Sequence, residues 1–515
     1  MDEDTPNQGR GQNNHDDPNS GDPSHFEDFL RGMLGDSGAS EALEAMRARG
    51  IDPESFGVAF PNAASAQAAL SQFQFLINTT SGPVNWSMAT DMAKQKAWGA
   101  GDPPPTAAQA ERARQAMSVA DLWLDAVTDF APGQVRRAVW SRNGWIDATV
   151  DVWKIICEPV ATNVSRALAE AMASQFSDED GEQHLPEGIP DSMRALMGRT
   201  REMMPKISAM VFAGQIGQAL SALAQECFGA TDVGLPLAGE GTTALVVHNI
   251  EGFADGLDIP FEEVLQFIAT RECAHQRLFH AVPWLSGDLV RAVEEYSAHI
   301  AIDTEEIARA ASSIDPSDPQ SMEITFESGI FSPQPTTQQK QALARLENLL
   351  ALVEGWVEVI TLRACAPYLP HVDQLSEMMR RRRASGGPAE QVLGQLIGLD
   401  LRPRKARGAA TIFTLVEGAH GRGQRDSLWD HPHLVPTPED LDSPDSFLLM
   451  RQAASEKDAD IDAALSQILD GTLGWAEGMT PETDSEGDST ADGPDLADGS
   501  DGSTSPDSPD SPATS

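Results

Sequence analysis

The sequence predicts a mainly α-helical body with at most one small β element, flanked by disordered acidic tails. Three observations predict it. Apolar residues recur at helical spacing in segment after segment, a single stretch carries a convincing strand pattern, and both ends lack apolar side chains. Residues 1–25 hold six acidic side chains and one Arg among Asn, Gly and Pro, too little apolar surface to offset the entropy of ordering. The body is placed at 26–470. Its first short amphipathic helices are expected at 26–35, 41–49 and 64–76. Gly82-Pro83-Val84-Asn85-Trp86 and the stretch 101–105 then break the pattern. Further helices are expected at 106–129, 133–141, 146–175, 190–200 and 203–227. Residues 242–249, with Ala244-Leu245-Val246-Val247, are read as a strand. Helices resume at 259–282, 285–311, 336–366, 371–384, 388–397 and 402–415, with no repeat that would make a solenoid. The tail 477–515 has eleven acids, no Lys or Arg, and Ser-Pro-Asp repeats, the composition of a solvated segment.

Charge narrows the partners. The formal net charge is -43. The ends supply -5 and -11, so -27 stays on the body, the opposite of the basic footprint that phosphate backbones select. Nucleic acid is not expected as a partner. Four cysteines without a C-x-x-C pair fit neither a disulfide scaffold nor a zinc knuckle, and the polar, acidic start has no h-region; a cytoplasmic setting is expected. Residues 207–225 carry no formal charge and approach bilayer length. Gln215, Gln218 and Gln225 would need partners in hydrocarbon, whereas Ala209, Ala213, Gly217 and Ser221, four apart, suit close helix packing. A packed internal helix is expected there, and no membrane span. Oligomeric state is not legible.

The informative site lies in the helix at 259–282. Phe261, Val264, Leu265, Ile268, Leu278 and Phe279 form a stripe, and Arg271, Glu272 and His275 fall in line with it. Charges on a core-facing stripe must be paired or bound, because an isolated buried charge is costly. Arg271-Glu272-Cys273-Ala274-His275 has the spacing of H-E-x-x-H, in which two His four apart hold zinc and the Glu activates its water, but Arg271 stands at the first His. Glu354 falls in the buried stripe of another helix, with Leu346, Leu350, Val353 and Val357, and also needs a partner.

The run Arg271 to Phe279, followed by Val282-Pro283-Trp284-Leu285, resembles the signature helix of bacterial, largely actinobacterial, zincin-like proteins described as zinc-dependent metalloproteases. Matching pieces are Gly82 to Trp86, Glu158-Pro159-Val160-Ala161, Leu350 to Val357, Arg425-Asp426-Ser427-Leu428-Trp429-Asp430-His431-Pro432, and Pro436 to Leu441. The resemblance implies a zincin-like helical body, zinc as cofactor, and a peptide or protein substrate. By residue, it implies Glu272 as general base, His275 as zinc ligand and Glu354 as the downstream ligand. Position 271 departs from the pattern, since a guanidinium offers only donors and stays charged.

Two functions therefore stand open. One is a zinc metallopeptidase-like hydrolase with Glu272 as base. The other is an inactive, metal-free zincin-fold binding or scaffold protein in which Arg271 replaces the metal by bridging Glu272 or Glu354. Substitute ligands would be His280, His299 with Glu295, or His248, each with a plain structural account: a helix C-terminus for His280, a core position for His299. His431 and His433 are read as a turn before a helix capped by Thr437 with Pro438 at its first position. Cys273 is read as a small buried hydrophobe. Arg380 to Arg383, with Arg402, Arg404, Lys405 and Arg407, could receive an acidic ligand or merely offset the acidic body.

Overall fold

The computed structural model describes scattered residues from 26 to 78, then 80–174, 191–239, 241–298, 336–385, 394 and 405–469, with the backbone alone at 167–174, 191–204, 384–385, 454–459 and 467–469. The two tails, 299–335 and the helix expected at 388–397, apart from residue 394, lie outside that set. The residues described between 26 and 47 and between 67 and 78 are helical. Two compact units divide at Met450, Met1–Met450 and Arg451–Ser515. The buried core belongs to the first.

In chain order the elements are α1 (Trp86–Gly99), α2 (Ala107–Asp125), β1 (Arg136–Val139), α3 (Arg142–Ser174), α4 (Asp191–Glu226), β2 (Thr242–Leu245), α5 (Val247–Ala254), α6 (Phe261–Ala281), α7 (Pro283–Ala298), α8 (Thr337–Cys365), α9 (Val372–Ser385), α10 (Ala406–Asp426), α11 (Pro438–Asp442) and α12 (Phe447–Leu469). Thr106, Thr336 and Thr437 each close a capping box three residues on, with Gln109, Gln339 and Asp440. The Thr437-Pro438 start expected from sequence is thus present.

α1 is absent from the sequence expectation. Asn85 caps it, accepting from the Met88 N–H, and its buried face is Ala89, Ala93 and Ala97, a seam too small to give a strong apolar period. That seam receives α4. A Cβ on Gly217 would stand 2.8 Å from the Ala89 carbonyl oxygen, so the small-residue spacing of α4 serves close packing, as expected. The stretch Pro205–Glu226 is long and apolar enough to cross a membrane by length and composition, yet 56% of its most apolar window is buried in the protein. Pro205 lies inside α4, so the two helices expected at 190–200 and 203–227 are one.

The expected helix at 133–141 is instead β1. Gly133 at φ 66° turns the chain, and Arg136–Val139 then pairs in parallel with β2, Arg136 beside Thr242 and Val139 beside Leu245. The expected strand at 242–249 stops at Leu245, because Val247 to Ala254 has a helical apolar stripe and forms α5. The core is built around α6 and α8. α6 packs on α2 and α8, and α8 on α7 and α10; Gly355 permits the last contact, since a Cβ there would meet Ala409 Cβ at 2.5 Å. Trp145, Trp153, Trp356 and Trp429 are fully buried around this axis.

Candidate functional site

Every residue of α6 from Val264 to Leu278 is buried apart from Gln266, which is partly so. Its charged members are therefore satisfied internally. Arg277 bonds to the Asp121 side chain and carbonyl and to the Phe130 carbonyl, tying α6 to α2. Cys273 is buried, and burial pushes its thiol well above its usual range, as suits a packing residue rather than a nucleophile.

Arg271, Glu272, His275 and Glu354 lie in one neighbourhood but not in one cluster. Glu272 turns to the loop between α4 and β2. Its Oε1 accepts from the Ala230 N–H at 2.8 Å, and its Oε2 from the Thr231 hydroxyl at 2.7 Å and the Thr231 N–H at 3.3 Å. Gly229 makes room, since a Cβ there would stand 2.5 Å from both Glu272 Oε2 and the Ala244 carbonyl oxygen. Burial pushes the Glu272 carboxyl up to about 7, although the Thr231 and Ala230 hydrogen bonds pull the other way.

Glu354, on α8, is the centre of the other network. Arg271 donates to its Oε2 at 2.8 Å, Arg383 pairs with Oε1 at 2.7 Å, and His275 Nε2 lies 3.1 Å from Oε1. Burial alone would raise this carboxyl, but the Arg383 and Arg271 charges and the His275 hydrogen bond outweigh it and hold it well below the usual range. His275 Nδ1 stands 3.0 Å from the Arg271 carbonyl oxygen. Both ring nitrogens thus face acceptors, and a neutral ring with one proton best serves the anionic Glu354 through Nε2–H. Burial lowers the His275 pKa against the pull of Glu354.

The network continues through Arg382 and Arg383 of the basic run to Asp232, which the sequence did not single out. Asp232 takes ion pairs from Arg382 at 3.1 Å and Arg383 at 3.5 Å, and its carboxyl is shifted down because these charges outweigh its burial. Arg383 also donates to the Asp232 carbonyl. The basic run is largely paired within the chain, in part at the surface: Arg380 pairs with Glu358 and Glu377, the exposed Arg381 with Glu377, and Lys405 with Asp442. Arg402 and Arg404 lie outside the described residues. The signal available in sequence was Thr231-Asp232 beside apolar Phe228 and Leu235, two polar groups in a core-like stretch.

The substitute ligands do not converge. His280 is exposed, with its ring against Gly133; His248 lies on α5 facing a separate cleft; His299 is outside the described residues. His431 and His433 are exposed in a turn. Among the described residues no group of three or more His, Cys, Asp or Glu could hold a metal ion. Zinc requires three protein ligands bearing lone pairs around an open position. His275 and Glu354 could supply two, but Arg271 stands where the third would be and Arg383 adds a second fixed cation on the same carboxylate. This donor set does not fit zinc.

The other sequence pieces are hydrogen-bonded structure. Asp426 accepts from Trp356 Nε1, the Thr128 hydroxyl, the Asp129 N–H and Arg425, which joins the Arg425-Asp426 run to the Glu354-Gly355-Trp356 run. Trp86 donates to Glu158 at 2.9 Å.

A helical body with a buried R-E-x-x-H helix laid against a glutamate-bearing helix is the layout of a zincin-like protein. The profile of the zincin-like metallopeptidase family matches residues 84–448, and the chain belongs to that family. Among solved structures, a candidate hydrolase with a novel fold from Chloroflexus aurantiacus is similar at 17% identity and a TM-score of 0.49, over 72% of this chain and 99% of that one. No curated protein matches.

Proposed function

We propose that this chain is a zincin-fold binding or scaffold protein that works without zinc, its ancestral metal position taken by Arg271. One observation carries this: both carboxylates of the motif are committed to protein donors in a closed interior. Arg271, Glu272, His275 and Glu354 are 6%, 4%, 1% and 3% exposed. A general base must reach the proton it removes, directly or through one water. Glu272 spends both oxygens on the 230–231 loop, and Glu354 spends both on guanidiniums and His275. The arrangement does structural work instead, clamping α6, α8, α9 and the loop before β2 together.

Family membership favours a second function, a metallopeptidase-like hydrolase acting on peptides. It requires Arg271 and Arg383 to leave Glu354 and a further ligand to arrive. A hydrolysis assay on a mixed peptide substrate with added zinc separates the two. The binding function predicts no turnover dependent on the site, and turnover abolished by both Glu272→Gln and His275→Ala would overturn it.

A further inference from the structure

α9 changes character along its length. Val372, Leu375 and Met379 are buried and anchor its first half in the core, but from Arg380 onward it reads Arg-Arg-Arg-Arg-Ala-Ser, without a large apolar side chain. What holds this end is charge. Arg380 pairs with Glu358 on α8 at 2.8 Å, Arg382 with Asp232 at 3.1 Å while lying 4.1 Å over the Phe228 ring, and Arg383 with Glu354 at 2.7 Å and Asp232 at 3.5 Å. Such contacts are easier to release than apolar ones, because hydration of the separated charges offsets the lost Coulomb attraction. Arg383 adds strain of its own. Its Nε is buried without a hydrogen-bond partner, which is costly. Burial lowers its pKa against the pull of Glu354, and the neighbouring Arg271 and Arg382 charges lower it further. An open cleft of about 400 Å³, lined in part by Arg382, Arg383 and Asp232, lies alongside and gives water a way in.

We propose that residues 380–385 form a latch: the C-terminal end of α9 lifts off the body as a unit, at a free energy well below that of global unfolding, and closes again by re-forming its arginine ion pairs. Local openings of this sort are drawn from segments with few buried apolar contacts. Lifting exchanges ion pairs for hydrated ions, so it uncovers little apolar surface, and salt favours it by screening the separated charges. In the open state Asp232 loses both ion pairs while Glu354 keeps Arg271 and His275, so the cleft turns acidic. The latch thus sets when the binding function above has an acidic face to offer. Only this last meaning rests on that function: zinc content tests the function and thiol labelling tests the latch, so either can fail alone.

Cys227 reports the opening. It lines the cleft with Arg382 and Arg383 yet is 2% exposed, whereas Cys157, Cys273 and Cys365 are buried elsewhere in the core. The full chain is treated with N-ethylmaleimide at constant pH and each thiol is followed by peptide mass mapping, across about 0–1.5 M urea and about 0.05–0.5 M NaCl. Cys227 is expected to label at least about tenfold faster than the other three, at a rate nearly flat in urea, because urea sensitivity scales with the surface exposed. That rate should rise at least about twofold with salt. Glu358→Gln loosens Arg380 from outside the cleft lining and should speed Cys227 about threefold. A Cys227 rate with the urea slope of the other three, no response to salt, or no response to Glu358→Gln overturns the latch, the last because the thiol would then be reached by a movement that leaves α9 in place. Should Glu358→Gln fail to fold, the wild-type urea and salt slopes decide.

Discussion

Replacing Arg271 by Met removes the guanidinium while keeping most of the apolar stem, so the change reports on the ion pair rather than on packing. Breaking a buried pair by deleting one partner costs about 3–5 kcal/mol when the survivor is left uncompensated. Glu354 is not left so. Arg383 remains at 2.7 Å and His275 at 3.1 Å, and what is lost is the 2.8 Å charge-assisted bond to Oε2. A bond of that kind contributes about 1.5–3 kcal/mol, and relief of the Arg271–Arg383 repulsion returns part of it, so Arg271→Met should cost about 2 kcal/mol at pH 7. Urea unfolding at unchanged m reads this directly. The loss should depend on acid. Glu354 has a depressed folded-state pKa, so its stabilisation is present above the ordinary carboxylate range and is lost as pH falls through the folded value. The difference between wild type and variant should therefore shrink below about pH 4.5. With Arg383→Met added, Glu354 keeps only His275, and the double variant should lose more than the two singles together. A variant within about 0.5 kcal/mol of wild type at pH 7 would refute the reasoning, since that is the range of surface substitutions.

Two further outcomes follow from the same geometry. Glu272 has a raised folded pKa, so its contribution to stability is fully present below its unfolded value near 4.5 and declines as pH rises towards about 7. Glu272→Gln should flatten the pH dependence of Tm between about 5 and 7, and an unchanged slope would count against the buried, ionisable state. Arg271→His alone should not yield a zinc protein, because Arg383 still holds Glu354. Adding Arg383→Met should, through His at 271, His275 and Glu354, and equal zinc content in the single and double variants would contradict the role given to Arg383.

The sequence carried the burial of this site but not its pairing. Arg271, Glu272, His275 and Glu354 stand on apolar stripes, so their need for internal partners was legible from spacing alone. That Arg271 chooses Glu354, 83 positions away, and that Glu272 chooses the Ala230–Thr231 backbone, depends on how α6, α8 and a loop meet, which no local pattern encodes. Arg380 to Arg383 looked like one patch, yet only the turn of α9 sends Arg382 and Arg383 inward while Arg381 stays exposed. The helical class was legible because large apolar residues mark α6 and α8. α1 escaped because its seam is alanine, and β1 because four residues, Arg136 to Val139, owe their extended form to pairing with β2 rather than to their own preference.

The central claim is that Arg271 stands in place of a metal, and zinc stoichiometry tests it most directly. Protein purified from zinc-replete medium without chelators, measured by plasma mass spectrometry, should carry far less than one zinc per chain, and His275→Ala should leave that content unchanged. One zinc per chain, lost on His275→Ala, would contradict the account.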